Sequence, residues 1–232
     1  MTPTTRPARD AVDAVIFDAG GVLLLPDAEA GMAAIAEFHD GSVPADWRRA
    51  HYAALIALER MEPIDWLAHR RVVAAEVGVR AEHLDAAAAL IDGVMTSPWV
   101  PVDGAADTLR ALSAAGYKLA VVSNAWGTMA EWLEHHKVCS VTNDDLPRVG
   151  AVIDSHLVGI EKPDPRIFKF ALDALDVAPE RSLYVGDTVR FDVKGALAAG
   201  LQPVHVDPYH LCDGPHSHIV SLAELTDWLV AD

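Results

Sequence analysis

Short apolar runs alternate with segments of helical periodicity along most of the chain. An apolar run of about four to eight residues is typical of a buried strand, whereas apolar residues about three and four positions apart are typical of an amphipathic helix. The runs predict strands at Ala14–Phe17, Leu119–Val122, Leu183–Val185 and Val204–Val206, with a weaker one at Val152–Ile153. The periodic segments predict helices at about Ala105–Ala115, Met129–His136, Pro165–Leu175, Val193–Ala199 and Leu222–Val230. This alternation predicts an α/β fold with a doubly wound, Rossmann-like parallel sheet.

Residues 26–100 follow a different pattern. This segment contains no convincing strand, is rich in alanine, and places its apolar residues on helical stripes. It is therefore predicted to be an all-helical insert of about four helices, placed directly after the first strand. The predicted domains are an α/β core of residues 12–25 and 101–232 and a helical domain of residues 26–100.

Composition and charge restrict the class of protein. The chain has 232 residues and a net charge of −16, which argues against a nucleic-acid surface because such a surface must be basic. Its two cysteines do not supply a disulfide framework, so we expect a reducing compartment. The polar segment Met1–Asp10 lacks the apolar stretch of a signal peptide, and no apolar run reaches the roughly 18 residues of a membrane span. We therefore expect a cytoplasmic protein without a membrane partner, either a monomer or a homodimer.

Polar residues follow two of the predicted strands. Asp18 comes directly after Phe17 and precedes two glycines, at the strand end where open α/β sheets place their chemistry. Ser123 and Asn124 follow the second core strand and offer uncharged hydrogen-bond donors to an anion. The alternative for this pair is that both side chains only cap backbone groups at a turn.

Three further charged residues add to this set. Lys162 precedes a proline and is therefore expected in a loop, where a lone lysine is most often solvated. Asp187 follows a predicted strand and Asp192 begins the next helix, so that with Asp18 they form an oxygen cluster suited to Mg²⁺. The alternative makes Asp187 a turn residue and Asp192 a helix N-cap.

Taken in order, these four stretches resemble the haloacid dehalogenase superfamily. The resemblance rests on Asp18 after its strand, Ser123 after the second, Lys162 before Pro163, and the Gly-Asp-x4-Asp of residues 186–192. It extends from about residue 15 to residue 206, and the helical insert resembles the cap domain of one branch of that family. Such a resemblance implies a Mg²⁺-dependent phosphatase that acts on a small phosphate ester, for example a sugar phosphate.

The resemblance also implies a role for each residue. Asp18 would be the nucleophile that forms an aspartyl phosphate. The metal would be held by Asp18, the backbone carbonyl of Gly20 and Asp187, with Asp192 as a further ligand or an anchor. The phosphate would be bound by Ser123 and the backbone near Asn124, and Lys162 would neutralise charge between nucleophile and phosphate.

Gly20 departs from the family pattern. Most phosphatases of the family carry an aspartate two residues after the nucleophile, which protonates the leaving group and then activates water. Asp-x-Gly also occurs in members that look like sugar-phosphate phosphatases. The departure keeps three alternatives open: a 2-haloacid dehalogenase, a phosphotransferase, and a non-catalytic protein that binds a phosphorylated ligand.

Histidine and aromatic residues outside these motifs are assigned structural roles. His51 is expected to pack in the helical domain, and His69, Arg70 and Arg71 are expected on a solvated helix face. Tyr52 and Trp66 are expected to pack between helices. His210, Cys212, His216 and His218 have a spacing that suits Zn²⁺, but nearby prolines and a glycine favour a flexible polar loop.

Overall fold

The computed structural model describes residues 8–39, 41, 46–96 and 99–230. These residues form two compact units. The first contains the described residues up to Leu24, Pro101–Pro208 and the residues from Gly214 onward. The second contains Leu25–Val100 and Tyr209–Asp213, so the short segment 209–213 groups with the helical unit and not with the core. Most of the polar N-terminal segment, Met1–Pro7, lies outside the described residues.

Eight strands and ten α-helices make up these units. The strands are β1 (Ala14–Phe17), β2 (Leu24–Pro26), β3 (Trp99–Pro101), β4 (Lys118–Ser123), β5 (Ala151–Asp154), β6 (Ser182–Gly186), β7 (Gln202–Val206) and β8 (Ser217–Ile219). The helices are α1 (Ala28–Ala34), α2 (Trp47–Leu58), α3 (Trp66–Glu76), α4 (Leu84–Thr96), α5 (Ala105–Ala114), α6 (Met129–His135), α7 (Ser155–Val158), α8 (Arg166–Leu175), α9 (Lys194–Ala198) and α10 (Leu222–Leu229). Among the described residues, no helix is both long and apolar enough to cross a membrane.

The first unit is built on a parallel sheet of six strands in the order β5-β4-β1-β6-β7-β8. All four residues of β1 are buried, because the strand lies between β4 and β6 and is covered on both faces. On one face, Ile16 and Tyr184 pack with Phe168 of α8. The predicted α/β fold with a parallel sheet is confirmed, and all five predicted strands are present.

The register of the sheet decides where the polar residues go. Phe17 of β1 lies beside Val121 of β4 and Val185 of β6. The residues that follow these positions therefore emerge at one edge of the sheet. The backbone N–H of Asp18 continues this pairing by donating to the carbonyl of Val185 at 2.8 Å.

Two details of the sequence-based assignment are wrong. Residues 26–100 were predicted to contain no strand, but β2 and β3 pair as a two-stranded sheet at the two ends of this segment. The segment around His216 and His218 was predicted to be a flexible loop, but Ser217–Ile219 form β8 in parallel with β7. All three strands have only three residues, which is too short for a hydrophobic pattern to show.

The second unit consists of α1 to α4 packed around an apolar centre. Trp47 of α2, Val73 of α3 and Ile91 of α4 are buried together there with Ile35. His51 is buried in the same unit. Side chains of Asp27, Asp46 and Asp65 cap the first three helices by accepting from backbone N–H groups in their first turns.

Candidate active site

Asp18 is buried at the end of β1, with only 8% of its surface exposed. One carboxylate oxygen, Oδ1, accepts from the backbone N–H of Ala19 at 2.7 Å. The carboxylate also accepts from the hydroxyl of Ser123, which ends β4. Burial raises the pKa of Asp18 to about 6, and the positive charge of Lys162 opposes that effect. The two strand ends thus bring an acid and a hydroxyl into direct contact.

Lys162 is buried and pairs with two aspartates. Its Nζ lies 2.7 Å from Oδ2 of Asp18 and 2.7 Å from Oδ1 of Asp192. A third hydrogen bond of 2.8 Å runs to the hydroxyl of Tyr184, so all three ammonium N–H groups have partners. Burial lowers the pKa of Lys162, but the two carboxylates outweigh it and the net shift is upward. The solvated-loop interpretation of this lysine is therefore wrong.

Asn124 and Tyr184 fix the position of Lys162. The side-chain amide of Asn124 donates to the carbonyl of Lys162 at 3.0 Å and accepts from its N–H at 2.7 Å. The Tyr184 hydroxyl lies 2.9 Å from the carbonyl of Val122, to which it donates. The side chain of Asn124 is therefore occupied by the backbone of Lys162.

Asp192 does not cap a helix. It lies in a single π-helical turn, Val189–Val193, that precedes α9. Its Oδ2 accepts from both the backbone N–H of Thr188 at 2.9 Å and the Thr188 hydroxyl at 2.6 Å, while Oδ1 faces Lys162. Gly186 allows the side chain of Asp192 to lie this close to the backbone, since a Cβ at position 186 would lie 2.3 Å from the Cβ of Asp192. Both oxygens of Asp192 are thus engaged by protein donors.

Asp187 follows β6 and completes a group of three buried carboxylates, Asp18, Asp187 and Asp192, which we call the carboxylate cluster. One oxygen from each lies within 4.8 Å of the others. Burial, followed by the charges of the other two carboxylates, raises the pKa of Asp187 well above its usual range. Gly21, at a φ of +75°, admits this side chain, because a Cβ there would lie 1.7 Å from Asp187 Oδ2.

The carboxylate cluster contains more negative than positive charge. Three carboxylates face the single ammonium of Lys162 in a buried space, and burial opposes the ionisation of such groups unless a counter-charge is present. Oxygen ligands of this kind are those that Mg²⁺ takes from proteins. The residues present therefore fit a divalent cation.

Gly20 lies beside the cluster in sequence and contributes only backbone groups. It forms an isolated parallel bridge with Leu24 and is partly buried. No side chain is available at this position to carry a proton. This position therefore contributes no acid to the carboxylate cluster.

Two histidines of the helical unit, His51 and His69, are buried and pack against one another. His51 and His69 meet edge to face, with ring centroids 5.9 Å apart. Burial lowers the pKa of His51 to about 4 and that of His69 to about 2. The expectation that His69 lies on a solvated face is wrong, because it is buried on the inner side of α3, whereas Arg71 of the same helix is exposed at 39% of its side chain. Tyr52 packs against Tyr209, with ring centroids 5.9 Å apart.

The structure places the C-terminal histidines differently from the sequence-based grouping. His216 and His218 lie together with His205 of β7, a residue that the sequence-based grouping did not include. In the sequence, His205 stands inside the apolar run Val204–Val206 and resembles an ordinary strand residue. His210 and Cys212 belong to the segment 209–213 of the second unit.

Several known proteins resemble this chain in sequence. Residues 12–200 match the model of a family described as haloacid dehalogenase-like hydrolase. The chain is 35% identical over 136 residues to haloacid dehalogenase-like hydrolase domain-containing protein 3 of Bos taurus, covering 56% of this chain and 51% of that protein. It is 54% identical over 56 residues to a phosphoserine phosphatase of Thermus thermophilus, covering 24% of this chain and 22% of that protein.

A third relative is a glyceraldehyde 3-phosphate phosphatase of Methanothermobacter thermautotrophicus, 33% identical over 125 residues, with coverage of 51% of this chain and 50% of that protein. The chain thus spans about half the length, or less, of these curated relatives.

Solved structures match over almost the whole chain. A phosphatase of the same family from Thermococcus onnurineus aligns with a TM-score of 0.60 and 20% identity, covering 95% of this chain and 99% of that one. A dehalogenase solved as an intermediate complex aligns with a TM-score of 0.61 and 26% identity, covering 96% and 98%. The first of these likenesses supports the fold alone.

Proposed function

We propose that this chain, which belongs to the haloacid dehalogenase-like hydrolase family, hydrolyses phosphate monoesters of small metabolites through a covalent phosphoenzyme on Asp18. The observation that carries the proposal is the burial of Asp18 within the carboxylate cluster, in direct contact with Lys162 and Ser123. The relatives named as phosphoserine phosphatase and glyceraldehyde 3-phosphate phosphatase support the same reaction class.

The cation that fits the carboxylate cluster is Mg²⁺. Asp18, Asp187 and the backbone carbonyl of Gly20 would hold it, and when bound it would supply positive charge against the phosphoryl oxygens. Asp192 is assigned a positioning role, since its oxygens already accept from Thr188 and Lys162. It holds the lysine ammonium at the nucleophile.

In the first step, a carboxylate oxygen of Asp18 attacks phosphorus, an O–P bond forms, and the bond from phosphorus to the ester oxygen breaks. The leaving group departs with the electron pair of that bond. Negative charge on the phosphoryl oxygens is stabilised by the Lys162 ammonium and by the hydroxyl of Ser123. In the second step, water attacks phosphorus, which releases inorganic phosphate and regenerates the carboxylate.

Gly20 determines which esters react well. General acid–base catalysis contributes about 10²–10⁴-fold, and this position supplies no proton carrier. Esters with a weakly basic leaving group, such as anomeric sugar phosphates, aryl phosphates or acyl phosphates, depend least on that help. We therefore assign these esters as the substrate class.

The test is a panel of phosphate esters assayed for phosphate release with Mg²⁺ and with excess EDTA. The panel includes p-nitrophenyl phosphate, glucose 1-phosphate and glycerol 3-phosphate, and acceptor sugars are added to detect transfer in place of hydrolysis. Asp18→Asn removes the nucleophile, and Asp164→Asn is the matched control because Asp164 lies outside the carboxylate cluster and pairs with Arg166. Activity that is independent of Mg²⁺, or equal in wild type and Asp18→Asn, contradicts the proposal.

Dehalogenation of a 2-haloacid is the second candidate. The likeness to the dehalogenase structure at 26% identity favours it, as does the glycine at position 20. In that reaction the Asp18 carboxylate would attack carbon and displace halide. That step needs no divalent cation, so it would not explain the excess negative charge of the carboxylate cluster. Chloride release from 2-chloropropionate in EDTA, with no phosphate release from the panel, would support this candidate against the phosphatase.

A further inference from the structure

Three histidines of the first unit lie together beside the last two strands of the sheet. His205 of β7 lies directly opposite His218 of β8, and His216 comes one residue before β8 begins. The ring centroids are 5.1 Å apart for His205 and His216, 5.3 Å for His205 and His218, and 4.4 Å for His216 and His218. We call this group the histidine cluster.

Hydrogen bonding fixes which nitrogen of His205 carries its proton. Nε2 lies 3.0 Å from the backbone carbonyl oxygen of Asp187, which only accepts, so Nε2 is the protonated donor. In neutral His205, Nδ1 therefore carries a lone pair, and it lies 3.0 Å from Nε2 of His216. A metal-ligating histidine characteristically donates its other ring N–H to a carbonyl or carboxylate in this way.

The distances suit a single ion. Zn–N bonds of about 2.0–2.1 Å in a tetrahedron place the ligand nitrogens about 3.4 Å apart. One ring nitrogen from each histidine lies within 4.8 Å of the others, and the shortest separation is the 3.0 Å between His205 and His216. Small rotations of the partly buried rings of His216 and His218 would therefore bring three nitrogens to bonding distance of one ion.

The protonation state of His216 also suits metal binding. Burial, together with the neighbouring histidines, lowers the pKa of His216 to about 4. The imidazole of His216 is therefore neutral near pH 7, and neutral imidazole is the form that binds a metal. Nitrogen ligands suit Zn²⁺, Co²⁺ or Ni²⁺, whereas Mg²⁺ prefers oxygen.

We propose that His205, His216 and His218 bind a transition metal ion of the Zn²⁺ type, at a site separate from the carboxylate cluster. The fourth position is left to water. The ion would lock the ring of His205 and so hold its N–H on the Asp187 carbonyl. This proposal does not depend on the reaction that the carboxylate cluster catalyses.

The test is calorimetric titration of Zn²⁺ into tag-free protein that has been stripped with EDTA and then returned to saturating Mg²⁺. We expect one Zn²⁺ per chain with a dissociation constant below about 1 μM. The double variant His216→Ala/His218→Ala should weaken binding by more than about 100-fold, beyond the effect of losing an outer partner. The matched control is His135→Ala/His136→Ala, which removes an adjacent pair at the C-terminal end of α6 whose ring centroids are 5.1 Å apart.

The control variant should bind Zn²⁺ as wild type does. Equal weakening in both double variants, or no binding to wild type at about 100 μM Zn²⁺, overturns the proposal. A second measurement needs no variant: Co²⁺ added to stripped wild type in saturating Mg²⁺ should develop the intense visible bands of tetrahedral coordination. The weak spectrum of six-coordinate aqueous cobalt would instead mean that the three histidines form only a hydrogen-bonded group.

Discussion

The carboxylate cluster and the histidine cluster lie on neighbouring strands of one sheet, yet their chemistry differs. Asp18 and Asp192 share the ammonium of Lys162 and Asp187 is a third buried acid beside them, so their charge is unbalanced. The histidine cluster instead offers imidazole nitrogens, and His205 hydrogen-bonds to His216 and to the backbone carbonyl of Asp187. Anionic oxygens select a hard cation and neutral nitrogens select a transition metal, so one sheet presents two ligand sets with different metal preferences.

Asp187 connects the two clusters. Its side chain belongs to the carboxylate cluster, and its backbone carbonyl accepts from His205. A change in either cluster is therefore expected to affect the other through Asp187. The following predictions use this connection to separate the clusters or to show that they act together.

Replacement of the nucleophile Asp18 should separate the carboxylate cluster from the histidine cluster most completely. Asp18→Asn should lower kcat on p-nitrophenyl phosphate by at least about 10⁴-fold, because the covalent step is lost. Zn²⁺ binding by the same variant should remain as in wild type, since Asp18 lies outside the histidine cluster. Steady-state assays and calorimetry on one preparation check both results, and substantial residual turnover would show that another group is the nucleophile.

The second-largest effect on kcat is expected from an acid at position 20. Gly20→Asp should raise kcat by about 10²-fold for glycerol 3-phosphate and much less for p-nitrophenyl phosphate, because general acid catalysis matters most for a basic leaving group. The ratio of the two rates, measured in wild type and variant, checks this. An equal effect on both esters would contradict the role assigned to Gly20.

Loss of the hydrogen bond from His205 to the Asp187 carbonyl should have a smaller effect. His205→Ala removes the donor to the Asp187 carbonyl and should raise the Mg²⁺ concentration for half-maximal activity by about 10-fold. His218→Ala is the control that leaves this hydrogen bond in place. Assays use EDTA-stripped protein to which only Mg²⁺ is returned; equal Mg²⁺ requirements in the two variants would show that the clusters are not coupled through Asp187.

The smallest effect concerns the stability of the metal-free protein. The unfolded chain ionises an aspartate near pH 4, whereas burial and two nearby carboxylates keep the pKa of folded Asp187 far higher. Between these two values Asp187 binds more protons in the folded state, so its contribution to stability falls as pH rises in wild type and is absent from Asp187→Asn. In EDTA, the variant should match wild type near pH 4 and exceed its Tm at pH 8 by at least about 2–4 °C, the shift expected for about 1 kcal/mol.

Calorimetric scans across pH check this prediction. Added Mg²⁺ should raise the Tm of wild type at pH 8 and leave that of Asp187→Asn nearly unchanged. A variant less stable than metal-free wild type at pH 8 would mean that the buried charge is already balanced by the protein.

The two clusters also differ in how far the sequence predicts them. Asp18, Ser123 and Asp187 follow strands whose apolar runs are plain, and parallel strands bring such residues to one edge. Lys162 follows no strand, and a lysine in a loop gives no sign that it will be buried. Only the order of the motifs, taken together, pointed to it.

Residues with an ordinary local pattern could not be found in advance. Tyr184 stands in an apolar strand and looks like core until its hydroxyl is placed beside Lys162. His205 is hidden in the same way, and β8 is too short for a pattern. The histidine cluster arises from the pairing of β7 with β8, which brings together residues more than ten positions apart. Contacts of this kind depend on register, and local sequence does not encode register by itself.

The central claim, a covalent bond between Asp18 and phosphorus, is tested most directly by rapid quenching. Wild type with Mg²⁺ and p-nitrophenyl phosphate should release a burst of p-nitrophenol close to one equivalent, because Gly20 leaves the water step slow. Mass spectrometry of the quenched protein should find one phosphoryl group, sensitive to hydroxylamine, on the peptide that contains Asp18. Turnover with no burst and no label, or a label on another peptide, would contradict the account.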